Sequence, residues 1–66
     1  MNVVINGAPR ELAPTSTIAD LLRELDLEGK PTAVEVNREV IQKKELETRT
    51  LEDGDRVEIV TFVGGG

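Results

Sequence analysis

The chain has 66 residues, among them no cysteine, histidine, tryptophan or tyrosine and a single phenylalanine; 38% are hydrophobic, and 13 Asp+Glu against eight Lys+Arg leave a net charge of −5. Such a length supports one small aliphatic core, with no disulfide or Cys/His zinc site to reinforce it. The usual general base and thiol nucleophile are both missing and there is little room for an enclosing cleft, so an enzyme is not expected, and the acidic balance disfavours nucleic acid.

Met1 to Ile5 is apolar enough for a strand. Asn6-Gly7 follows, the pair that suits a type I′ hairpin turn, because both central positions need positive φ. Ala8 to Leu12 is the returning strand, and Pro9, which cannot donate to a ladder, places it at a sheet edge. Ile18, Leu21, Leu22 and Leu25 then recur at helical spacing. Thr17 with Asp20 three residues later forms a capping-box variant, and Gly29 and Pro31 are expected to end the segment. Thr32 to Asn37 alternates, with Val34 and Val36 on one side and Ala33 and Glu35 on the other. Asn37-Arg38 turns it into a short return, Glu39-Val40-Ile41. Lys43 to Leu51 reads as a polar loop with a helical turn, anchored by Leu46 and Leu51. Leu51 to Asp55 is a turn, and Arg56 to Phe62 is the last strand. This order gives an α+β layout, one helix packed on one face of a mixed sheet. No apolar run is long enough to span a bilayer and the N-terminus lacks a signal-peptide core, so a cytoplasmic location is expected.

Most candidate sites have an ordinary explanation. Asp53 and Asp55 flank a glycine, but the full calcium-loop spacing is absent and a turn accounts for them. Glu45 and Glu47 have no apolar pocket to raise their pKa, and Lys43-Lys44 reads as a solvated pair. The C-terminal run Val63-Gly64-Gly65-Gly66 is more informative. It reads either as a frayed end or as a tail built to enter a narrow slot, since glycine lets backbone pass where any side chain would block it. Fully extended, Val63 to Gly66 reaches roughly 13 Å. On the second reading the reactive group is the carboxylate of Gly66. A carboxylate is inert until activated, so the chemistry expected is adenylation by a partner followed by acyl transfer.

The last strand bears on the same question. Arg56 and Glu58 should face water, which sends Val57 and Ile59 to the core and turns Val60 and Phe62 outward. On the first strand Val3 and Ile5 share the inner face and Val4 takes the outer one. Phe62 is thus expected on the exposed side, beside one or two valines, as an apolar docking patch. The alternatives are a Phe62 folded over the sheet edge or a bulge that reverses the parity.

With these residues in view, the chain resembles the ubiquitin-like sulfur carriers of thiamine biosynthesis over its whole length. The resemblance rests on Val3-Val4-Ile5-Asn6-Gly7, Thr17-Ile18-Ala19-Asp20-Leu21-Leu22, Ala33-Val34-Glu35-Val36-Asn37, and Asp53 to Val60 continuing through Val63-Gly64-Gly65-Gly66. It implies a β-grasp fold over residues 1–62, a mixed four- to five-stranded sheet with one main helix, followed by a flexible glycine tail over 63–66. It implies further that a ubiquitin-activating-like enzyme (ThiF) adenylates Gly66, using ATP that the carrier itself does not bind as a cofactor. Sulfur drawn from cysteine through a desulfurase then yields a thiocarboxylate, which thiazole synthase (ThiG) consumes. Gly64 and Gly65 would thread, and Val60, Phe62, Val63 and Val4 would dock. Two alternatives stay open: a sister carrier for molybdopterin or cysteine synthesis, and a β-grasp binding module whose tail carries no chemistry.

Overall fold

The computed structural model describes residues 1–62. The strands are β1 (Asn2–Ile5), β2 (Ala8–Glu11), β3 (Thr32–Val36), β4 (Glu39–Val40) and β5 (Arg56–Thr61). The helix α1 spans Ile18–Glu24, and a single 3₁₀ turn covers Lys43–Glu45. The sheet order is β2-β1-β5-β3-β4; β1 and β5 run parallel and every other pair antiparallel. The first and last strands therefore lie side by side inside the sheet, with β2 and β4 at its edges. This is the β-grasp arrangement expected from the sequence, with five strands.

Both hairpins turn where the sequence places them. Asn6 and Gly7 have φ of 48° and 83°, and Asn37 and Arg38 have 51° and 69°, so each pair occupies the left-handed region that a two-residue turn requires. The Asp53-Gly54-Asp55 segment is a turn held by its own carboxylates. Asp53 Oδ1 accepts from Asn2 N–H at 2.7 Å, and Asp55 accepts from Glu52 N–H and from the Asn37 side-chain amide at 2.8 and 2.9 Å. These acids thus tie the turn to the start of β1 and to the Asn37 side chain that follows β3.

Strand alternation sorts the core. Val3 and Ile5 of β1, Val34 and Val36 of β3, and Val57 and Ile59 of β5 are buried against Ile18, Leu21 and Leu22 of α1. Leu12, Ile41 and Leu51 close the ends, with Met1, Leu25, Leu27 and Leu46 partly buried around them. The helix start meets all four of its otherwise unpaired N–H groups. Thr17 and Asp20 form the capping box, at 2.9 and 3.1 Å, while Ile18 and Ala19 N–H donate to Arg49 and Leu46 carbonyls. The backbone bond from Thr17, then its hydroxyl, holds the Asp20 carboxyl below its ordinary value. The loop over 43–51 is thus fastened to the helix by backbone bonds.

The helix ends earlier than Gly29 and Pro31 imply. Leu25 is the C-cap, and Asp26, at φ 59°, takes the left-handed position that follows. Leu27 N–H donates to Leu22 O at 2.8 Å and Asp26 N–H to Arg23 O at 3.1 Å, the two bonds of a Schellman cap. Asp26 stands in the place usually taken by glycine, which is why composition alone does not mark this boundary. Gly29, at φ 79°, serves the following turn instead.

Candidate functional site

The candidate site is the C-terminal end of β5, where the described chain stops at the sheet. Two anchors fix it. On the β3 side, pairing runs from Val36↔Val57 to Thr32↔Thr61, and Phe62 N–H then donates to Pro31 O at 3.0 Å. On the β1 side, strand pairing stops at Ile5↔Val57 because β1 turns away at Asn6. The Asn6 side chain takes over. Its Oδ1 accepts from Ile59 N–H at 2.7 Å, and its Nδ2 donates to Ile59 O at 3.1 Å. A side-chain amide thereby imitates one further residue of strand and carries the ladder along β5. Sequence reasoning gave Asn6 only its turn role. The available signal was the choice of Asn over Gly at a position needing positive φ, since only Asn adds an amide.

Val60 and Phe62 both point away from the helix and are 55% and 56% exposed. The parity inferred from the sequence therefore holds, with no reversal and no burial of Phe62 over the edge. Exposed Ala33 lies directly opposite Val60 and extends the apolar surface across β3. Val4 occupies the same face but not the same place. The parallel register sets Val4 opposite Arg56, four residues upstream of Val60, or about 13 Å along the strand. Glu58 intervenes on that face, and Val4 is half-buried. Its assignment to a patch with Phe62 is corrected on this ground: alternation gave its face, while the β1–β5 register, invisible to alternation, gave its position. Val63, Gly64, Gly65 and Gly66, the rest of the sequence-inferred site, lie outside the described residues.

The electrostatics here are modest. Glu58 and Glu35 sit opposite each other on the outward face, next to Arg56. The turn acids Asp53 and Asp55 accept bonds from the chain itself, and no group of three or more potential metal ligands occurs among the described residues. Nor is any helix among them long and apolar enough to cross a membrane. What this geometry provides is a strand bonded on both sides and ending beside an apolar surface, two residues before a glycine run in the sequence.

Comparison with known proteins identifies relatives across the whole chain. The chain is 50% identical over 52 residues to the sulfur carrier protein ThiS of Bacillus subtilis, covering 79% of each protein. It is 41% identical over 64 residues to that of Thermus thermophilus, covering 97% of this chain and 98% of the relative. It is also 41% identical over 66 residues to a thiazole synthase of Paramagnetospirillum magneticum, of which it spans only 20%. Among solved structures, a thiamine biosynthesis protein (ThiS) from Geobacter metallireducens superposes with a TM-score of 0.83 at 35% identity, each chain fully covered. The profile of the ThiS family matches residues 3–66, terminal glycines included, and with these relatives it shows that the chain belongs to the ThiS family.

Proposed function

We propose that this protein is the sulfur carrier of thiazole formation in thiamine biosynthesis, and that its reactive group is the carboxylate of Gly66. The observation that carries the reading is the family match running through the last residue of a chain whose final strand is anchored up to Phe62. The carrier is a protein substrate. Its fold presents the tail, and partner enzymes do the chemistry.

A Gly66 carboxylate oxygen attacks the α-phosphorus of ATP on an adenylating enzyme, and pyrophosphate leaves. A cysteine desulfurase carries the sulfur as a persulfide; a thiol reductant, itself oxidised to a disulfide, releases it as sulfide, which attacks the acyl carbon of the adenylate. AMP departs, and a proton is lost to leave a thiocarboxylate. Thiazole synthase then takes the sulfur. The match to a thiazole synthase five times longer than this chain supports that last pairing, since a carrier-like segment lies within that protein's sequence. Asn6 and Pro31 have a positioning role in this reading: with β5 held on both sides, the tail starts from a fixed point and less freedom is lost when it enters a partner. Val60 and Phe62, with Val63 following, supply apolar contact on docking. Gly64 and Gly65 carry no side chain to obstruct a narrow channel.

ATP–pyrophosphate exchange with the adenylating partner tests the reading. Exchange is expected with the full chain and absent when Gly66 is deleted. Equal exchange with both chains would overturn it.

A further inference from the structure

We propose that the groove between the C-terminal turn of α1 and the 3₁₀ turn binds an extended, acidic segment of a partner protein, which adds as a strand to β3 at Thr32. This inference is independent of the tail chemistry and concerns the other side of the molecule from Val60.

Two depressions share Leu22, Gly29, Lys43 and Leu46 and form one groove. The part next to β3 has a volume of about 450 Å³, within the range of binding pockets. Its floor is apolar, formed by Leu22, Leu27, Ile41 and Leu46. Its rim is basic. The sequence contains three lysines, Lys30, Lys43 and Lys44, and all three line this groove, in a chain whose net charge is −5. Two carboxylates, Glu28 and Glu47, also line it, but both are drawn to Arg23, at 2.8 and 3.3 Å. Arg10 and Arg49 pair with glutamates as well, whereas none of the three lysines makes an ion pair among the described residues. Of the five basic side chains without an ion pair among the described residues, three line this groove, and the other two, Arg38 and Arg56, lie elsewhere.

The backbone supplies the third element. Phe62 bonds to Pro31 and Asn37 to Arg56, so alternate residues of β3 direct their N–H and C=O groups toward β5 and the residues between them toward β4. Thr32 belongs to the second set. β4 ends at Val40, and the last bond across is Ile41 N–H to Val34 O at 2.9 Å. Thr32 thus presents a donor and an acceptor along the groove wall. An apolar floor, a basic rim and an open strand edge together match a peptide that alternates apolar and acidic side chains: main-chain bonds form at Thr32, one side faces the leucines, and the carboxylates reach the lysines.

The test is a ¹⁵N NMR titration of the full chain with an eight-residue peptide alternating valine and glutamate. Saturable shifts are expected at Thr32, Lys43 and Leu46 and not at Val60 or Phe62. The K30Q/K43Q/K44Q variant, with its folding checked from its own spectrum, should bind about tenfold more weakly, as should the peptide with glutamine for glutamate. Shifts confined to the Val60 face, equal binding by the triple variant, or no saturable shift up to the peptide's solubility would each overturn the proposal.

Discussion

Replacing Asn6 by glycine isolates the amide clamp on β5. Glycine keeps the φ of 48° at no steric cost, so the hairpin turn survives and only the side chain is lost. That side chain makes two bonds to Ile59, at 2.7 and 3.1 Å, at the edge of the core. A net contribution of about 1 kcal/mol per bond gives a loss of about 2 kcal/mol. Domains of this size have about 3–10 kcal/mol in total, so the loss is large. Urea unfolding of N6G should show a lower midpoint with an unchanged slope, and hydrogen exchange at the Ile59 amide should accelerate by more than at Val57. The N6D variant keeps the acceptor and loses the donor, so it should retain the protection of Ile59 N–H in part. A stability loss below about 0.5 kcal/mol in N6G, with Ile59 exchange unchanged, would refute the clamp.

Three further outcomes follow from the helix. Leu21 is fully buried, so L21A should cost about 2–5 kcal/mol in urea unfolding, enough to leave the chain largely unfolded at the lower end of its stability; a loss under about 1 kcal/mol would contradict the packing described. Asp26 holds a left-handed C-cap position and places a negative charge at the wrong end of the helix dipole, so D26N should gain about 0.5 kcal/mol and raise the melting midpoint by about 2–4 °C. The Asp20 carboxyl is held below 3.8 in the folded chain, so its contribution is present above 3.8 and lost as pH falls through the folded value. The stability gap between the native chain and D20N should accordingly close in acid; a gap that widens there would contradict the capping role.

The sequence disclosed what depends on local chemistry and hid what depends on register. Alternation and helical spacing identified the buried faces of β1, β3, β5 and α1, because a one-residue error would expose a whole face. The positive-φ turn pairs and the Thr17–Asp20 box were legible because few residues satisfy those geometries. Val4 was given its face but not its distance from Phe62, since alternation carries no information about how parallel strands slide past one another. The end of α1 was set too late because Asp26 performs a task normally signalled by glycine. Asn6 was half read, as a turn residue, because its bonds to Ile59 span 53 positions of sequence. The lysine groove escaped notice for a similar reason: Lys30 and Lys43 come together only once the loop over 43–51 is fastened to the helix.

The proposed carrier function depends on whether Gly66 accepts sulfur. The direct measurement is intact and fragment mass after incubation with ATP, the adenylating partner and a sulfide source. Localisation to the C-terminal fragment is essential, because oxidation of Met1 adds nearly the same mass as an oxygen-to-sulfur exchange. A sulfur-carrier role gives a gain confined to Gly66 and lost when that residue is deleted. An unmodified Gly66 beside a partner shown to be active on another carrier would contradict it.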